Sequence, residues 1–349
     1  MTSLATIALQ FTVSAIIIVA AGTVLARSGD VIAARSSLGR AWFGSVFLAL
    51  ATSLPELVTD IAAVRMGAPD LAVGDLFGSG LANMLILAII TLAPGGGDMF
   101  RRATLDHVLY ASVAMVLTAI AAIVLLIRPA TTWLGVGIGS WVLLAVYGFA
   151  SRATFQHSQV VREAGTAIEM SEPLGAGTSP IIVSGEAPTV SSSRRALLTF
   201  AGAALGILIV APQFARSAES LAVISGVGTT VVGTCLLGLS TSLPELVTSL
   251  AAVRLRAYDL AVGNLFGSNA INMIMFPALD MANGGRAVLS IADPSHVITA
   301  LFVLILMGMA TATLVFRTRR IGWIAEPGAL LVLCGYLLAI AVLLGAQPR

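Results

Sequence analysis

Apolar runs of about twenty residues recur along the chain, separated by short stretches that hold most of its charge. That is the length an α-helix needs to cross the hydrocarbon of a bilayer. Boundaries read from charges and turn residues predict ten spans, near 3–26, 41–66, 70–93, 104–127, 132–151, 196–218, 227–253, 259–281, 294–316 and 327–346. Inside two of them the pattern breaks. The segment TSLPE stands at 52–56 and again at 241–245, and each time it puts a proline and a carboxylate where an uninterrupted apolar helix should run.

Composition supports a membrane protein, with 58% hydrophobic and 10% charged residues. No basic residue precedes Arg27, so the first apolar run lacks the charged start of a signal peptide and is read as a retained helix. Cys235 and Cys334 both fall in predicted spans, which suggests buried structural thiols and no disulfide framework.

All nineteen basic residues are arginine, and fourteen of them lie in the loops between spans 1/2, 3/4, 5/6, 7/8 and 9/10. The positive-inside rule puts those loops in the cytoplasm and both termini outside. Topology thus accounts for the excess of positive charge, and no nucleic-acid partner is needed.

An offset of 189 superposes Thr52–Met84 on Thr241–Met273 with 24 identities in 33 positions. The same offset pairs His107 with His296 and Asp30 with Glu219. Five spans per copy is an odd number, so the second copy enters the membrane from the opposite side. The expected fold is therefore an all-α polytopic membrane protein of ten transmembrane helices in two inverted five-helix repeats, an arrangement common among secondary transporters. The repeats would occupy 1–151 and 196–349. Residues 152–195, rich in Ser, Gly and Pro, read as a flexible cytoplasmic linker, with glutamates too scattered for a calcium cage.

A proline inside a helix has no N–H to donate and clashes with the preceding turn, so Pro55 and Pro244 should free carbonyls near residues 51 and 240. Hard cations take carbonyl, hydroxyl and carboxylate oxygens together, and each TSLPE offers all three. Thr52 and Glu56, like Thr241 and Glu245, are four apart and share a helical face. Ser79 and Asn83 repeat that spacing on the next helix, and Ser268 and Asn272 match them. Gly74, Gly78, Gly263 and Gly267 would let these helices pack closely.

A lone intramembrane proline is usually only a kink, and a lone Ser, Thr or Asn usually satisfies a neighbouring helix. A carboxylate at the bilayer centre costs about 2.5–3.5 kcal/mol even on lenient scales, and this chain places one twice in equivalent positions. Glu56 and Glu245 are accordingly read as functional. Asp60 is matched by the uncharged Ser249, which argues against a required ligand. Asp75 could be a displaced third acid of the site, but near the start of its helix it is read as stabilised by solvent or the helix dipole. Asp280 lies near a helix end, and His107 and His296 near span starts, where capping or interfacial roles are expected.

With these residues in view, the chain resembles the cation/Ca2+ exchanger superfamily, the sodium/calcium exchangers and their prokaryotic relatives. Their paired alpha repeats read (G)TSLPE on one helix and GNxxGSNxxN/D on the next. Here they read ATSLPELVTD with VGDLFGSGLAN, and LSTSLPELVTS with VGNLFGSNAIN. The resemblance implies a cluster of cation sites exchanging Na+ for Ca2+, with Glu56 and Glu245 as central ligands. Thr52, Ser53, Thr241 and Ser242 would add oxygens beside them, and Ser79, Asn83, Ser268 and Asn272 would complete the cage. It also implies that the first and sixth helices form the moving gate.

Two departures stand out. Asn272 occupies a position where such exchangers often carry aspartate, and the first repeat reads GSG with Asp75 where its partner has Asn264. Two glutamates balance one Ca2+ or two Na+, so charge balance alone predicts electroneutral exchange of about two Na+ per Ca2+.

The expected function is a secondary Na+/Ca2+ antiporter acting by alternating access at a midplane site in the bacterial inner membrane. Its partners would be the lipid bilayer and inorganic cations, with no cofactor beyond the transported Ca2+ and Na+. Proton-coupled Ca2+ exchange is the alternative, because a buried carboxylate can hold a proton. A channel would want a continuous polar stripe, and a hydrolase would want a nucleophile–base pair or an HExxH helix; neither pattern is present in the sequence.

The arginine asymmetry makes a direct prediction. A single cysteine introduced at Ser192 should be shielded from an impermeant thiol reagent in intact cells, whereas one at Gln347 should label. Equal labelling would overturn the orientation.

Overall fold

The computed structural model describes residues 4–36, 39–94, 96–97, 99–171, 190–224, 241–316 and 326–345, without the side chains of 158–171, 190–193 and several in 215–223. The first half contains α1 (Leu4–Arg35), α2 (Arg40–Phe43), a π-helical turn (Gly44–Leu48), α3 (Ala49–Arg65), α4 (Pro69–Leu92), α5 (Met99–Arg102) and α6 (Asp106–Ile127). A two-stranded hairpin follows, β1 (Thr132–Trp133) with β2 (Val136–Gly137), and leads into α7 (Ile138–Ser171). The second half contains α8 (Val190–Ile224), α9 (Leu243–Arg254), α10 (Tyr258–Met273), α11 (Phe276–Ala282), α12 (Val288–Ile291), α13 (His296–Phe316) and α14 (Pro327–Gly345).

Eight helical stretches among the described residues are long and apolar enough to cross a membrane, and they fall on eight of the predicted spans. Of the other two, 227–253 is described only from Thr241 onward, so the expected free carbonyl at residue 240 lies outside the described residues. The remaining span, 259–281, is not one helix. Pro277 sits in the first turn of α11 and cannot bond the carbonyl four residues back. Ile274 and Met275 instead donate in tighter turns to the Ile271 and Asn272 carbonyls, at 3.0 and 3.3 Å, and the axis breaks between α10 and α11.

The expected linker needs correction as well. α7 continues to Ser171 and α8 already begins at Val190, so both ends of 152–195 are helical, while 172–189 lies outside the described residues. The run 152–171 has no proline and a good supply of Ala, Glu, Gln and Arg, and the first proline comes only at 173. Cys334 is exposed on α14 and is not a core thiol; Cys235 lies outside the described residues.

Burial separates two layers. In the apolar part of α4, 78% of residues are buried, against 17% in α1, so α4 is central and α1 faces outward over most of its surface. α3, α4, α9 and α10 pack against one another, and α6 and α13 brace them. α1 lies along α8, and this outer pair rests on α9 and α3. Arg27, Arg35 and Arg195 line one groove where the end of α1 meets the start of α8.

The two halves are fastened by a matched pair of clasps. His107 Nε2 lies 3.0 Å from Asp259 Oδ1, which also accepts the Thr104 N–H at 2.7 Å. At the positions related by the offset, His296 Nε2 lies 3.5 Å from Asp70 Oδ1, which accepts the Asp293 N–H at 2.6 Å. Neither histidine caps its own helix; each reaches an aspartate of the opposite half. Each clasp joins one repeat to the other.

The glycine pattern has its clearest use beside the π-helical turn. A Cβ on Gly263 would sit 2.8 Å from the Ala41 carbonyl, one on Gly44 would sit 2.8 Å from the Leu260 carbonyl, and one on Gly267 would collide with the Ser45 backbone. Here backbone packs on backbone, which only glycine permits. Gly267→Ala should therefore force this crossing apart and cost about 2 kcal/mol or more. Thermal unfolding of the purified protein checks this, with Gly202→Ala, where nothing lies within 4 Å, as the control expected to melt like wild type.

Candidate functional site

The two TSLPE segments meet at the centre of the α3–α4–α9–α10 core. Pro55 lies inside α3, whereas Pro244 lies in the first turn of α9. Thr52 Oγ1 lies 3.2 Å from the Leu48 and Ala49 carbonyls and equally far from Asn264 Oδ1, three acceptors for its one proton. All ten side chains expected in the site, Thr52, Ser53, Glu56, Ser79, Asn83, Thr241, Ser242, Glu245, Ser268 and Asn272, are buried.

Hydroxyls from both repeats converge on Glu56. Ser79 Oγ donates to Glu56 Oε1 at 2.5 Å, Ser242 Oγ reaches the same oxygen at 3.3 Å, and the two hydroxyls are 3.0 Å apart. In the orientation that satisfies both of its amide atoms, Asn272 donates to Glu56 Oε2 at 3.2 Å and to the Ser268 carbonyl at 3.1 Å. Glu245 takes a reciprocal bond from the first repeat, with Ser53 Oγ donating to Oε1 at 3.2 Å. Its Oε2 has no donor. Each TSLPE serine thus holds the glutamate of the other repeat.

The remaining expected residues are placed differently. Asn83 Nδ2 donates to Asn269 Oδ1 at 2.8 Å and does not reach a carboxylate, and Asn83 Oδ1 and the Ser268 hydroxyl are buried without a partner. Thr241 Oγ1 donates to Asp75 Oδ1 at 3.3 Å, and Thr52 Oγ1 donates to Asn264 Oδ1 at 3.2 Å. These two bonds are related by the repeat offset.

Asp75 and Asp60 are the residues that sequence reasoning undervalued. Asp75 is buried against Thr241 and is not a solvated helix-start residue, and Asp60 is buried within hydrogen-bonding reach of it. The signal was in the repeat alignment, which equates them with Asn264 and Ser249 in the core of the other half. Among the described residues no three His, Cys, Asp or Glu side chains gather as a metal-ligating set. A cation at Glu56 and Glu245 would therefore be met chiefly by hydroxyl and amide oxygens, the donors suited to hard ions.

Comparison with known proteins matches the family model described as sodium/calcium exchanger protein to residues 6–153 and 195–345. The chain belongs to the sodium/calcium exchanger family. An uncharacterized membrane protein of Methanocaldococcus jannaschii, MJ0091, is 25% identical over 226 residues, and the match spans 65% of each chain. The sodium/calcium exchanger MaX1 of Methanosarcina acetivorans is 38% identical over 73 residues, 21% of each chain. A solved structure of the sodium-calcium exchanger NCX_Mj, soaked with Na+ and without Ca2+, superposes with a TM-score of 0.72 at 21% identity, covering 98% of this chain and 100% of that one. That likeness shows a shared fold. With the apolar helices, the family places this chain among integral membrane proteins.

The environment of Asn272 makes a testable point within this family. Asn272→Asp exchanges an amide that donates to Glu56 for a group that repels it, and the lost charge-assisted bond is worth about 2 kcal/mol. Without divalent ions the variant should melt below wild type. Adding Ca2+ should recover more stability in the variant than in wild type, as read by calcium-dependent thermal shifts.

Proposed function

We propose that the protein is a secondary active antiporter exchanging Na+ for Ca2+ by alternating access at a site near the bilayer midplane. One observation carries this reading: the reciprocal cross-repeat bonds of Ser53 to Glu245 and of Ser242 to Glu56. They bring two carboxylates into one buried, oxygen-lined centre shared by both repeats. In this reading Glu56 and Glu245 are the central ligands, Thr52, Ser53, Thr241 and Ser242 supply oxygens beside them, and Ser79, Asn83, Ser268 and Asn272 complete the cage.

The reading extends to topology, as ten transmembrane helices in two inverted five-helix repeats, residues 1–151 and 196–349. Residues 152–195 and the Arg27–Arg35–Arg195 groove would face the cytoplasm, and both termini would lie outside the inner membrane. α1 and α8 bury little of their length, pack mainly on each other, and run past the core that holds the glutamates. Such an outer pair can shift relative to the core without disturbing the serine–glutamate bonds. Exposing the centre to alternate sides would then need only that displacement.

Removing either charge should abolish exchange. Glu56→Gln and Glu245→Gln each delete a central ligand yet ease the burial of a charge, so the protein should remain folded. Sodium-driven 45Ca2+ uptake into proteoliposomes should fall about a hundredfold, the factor that about 3 kcal/mol of lost charge pairing gives. Near wild-type flux in either variant would sink the central-site reading. Uptake driven by a pH gradient without sodium would make the proton the counter-ion.

A further inference from the structure

The two repeats answer the same position with opposite chemistry. In the second repeat Asn264 Nδ2 donates to Ser249 Oγ at 3.1 Å, while Asn264 Oδ1 accepts from Thr52 of the first. That cluster is neutral and closed. The offset of 189 carries it onto Asp75, Asp60 and Thr241, where Thr241 donates to Asp75 just as Thr52 donates to Asn264. The Asn–Ser bond, however, has become a carboxyl facing a carboxyl.

Asp60 is 1% exposed and Asp75 is 7% exposed, and each keeps an Oδ2 without a donor. Among the described residues no basic side chain bonds to either. Two carboxylates this close in an apolar interior cannot both stay charged unless something positive lies between them. Thr241 supplies a hydroxyl at the edge of the pair, and its neighbour Ser242 touches Glu56, so the pair adjoins the central site.

We propose that Asp60 and Asp75, with the Thr241 hydroxyl, form an additional binding site for a hard cation, Na+ or Ca2+, beside the Glu56–Glu245 centre. Two carboxylates and a hydroxyl are the oxygen ligands such ions take. Counted with this pair, the core holds four buried carboxyls, two more than the pair of glutamates on which the balance of two Na+ per Ca2+ was drawn. A further sodium then no longer enters uncompensated. The proposal rests on the reading of the chain as a cation transporter, since ions must reach the core.

The second repeat supplies the test variant. Asp60→Ser with Asp75→Asn copies the Ser249–Asn264 pair, which this fold already accommodates, and Asp75→Asn alone serves if the double variant fails to fold. Equilibrium dialysis of the purified full chain with 22Na+ and with 45Ca2+ reads the number of ions bound per chain and says which ion the pair takes. The double variant should lose one bound equivalent of one of the two ions. Unchanged binding of both ions overturns the proposal and leaves the pair sharing a proton. Glu245→Gln measured alongside separates the two readings. If it alters neither binding nor flux while the double variant loses an equivalent, the central-site reading fails and the acid pair stands; if only Glu245→Gln loses ions, the acid-pair site fails by itself.

Discussion

A carboxylate moved from water into apolar surroundings must find donors or a cation, and Glu56 and Glu245 each find donors on the other repeat. Much of the architecture follows from that demand. The serines can reach across only if α3, α4, α9 and α10 approach closely, and the approach is possible because Gly44, Gly263 and Gly267 let the π-helical turn and α10 meet backbone to backbone. The π-helical turn itself lies directly before the proline-containing stretch that carries Thr52 and Glu56. Outer helices without such polar cargo, α1 and α8, have no comparable reason to be held tightly.

Much of this was legible in the sequence because burying charge restricts composition so strongly. A glutamate beside a proline in an apolar run has few uses, and its recurrence 189 residues later marked the symmetry and the ten side chains that prove to be buried. Partners across space were harder to read. Spacing of four put Ser79 and Asn83 on one face but could not tell that Ser79 would bond Glu56 while Asn83 would bond Asn269. Asp75 looked solvated because it stands near the start of a span, yet α4 is central and by its second turn it is buried against Thr241 of the opposite repeat.

Elements misread from sequence failed for local reasons. The run 259–281 is apolar enough for one span, and only Pro277 reveals the break. Polar residues at 152–171 suggested irregular chain, although nothing there forbids a helix until Pro173. Hydropathy reports where a helix is covered by lipid. It does not report where the helix ends.

The clasps of His107 with Asp259 and of His296 with Asp70 also bear on how the molecule is made. The closures between the repeats join residues about 150 or more positions apart, so the first half leaves the ribosome with Glu56, Asp75 and His107 lacking Ser242, Thr241 and Asp259, which join them only later. The early helices must wait in the bilayer, their polar faces unmatched, until the second half is synthesised and threaded against them. A truncated chain ending before α9 would be an inserted but unfinished protein and a natural substrate for membrane quality control.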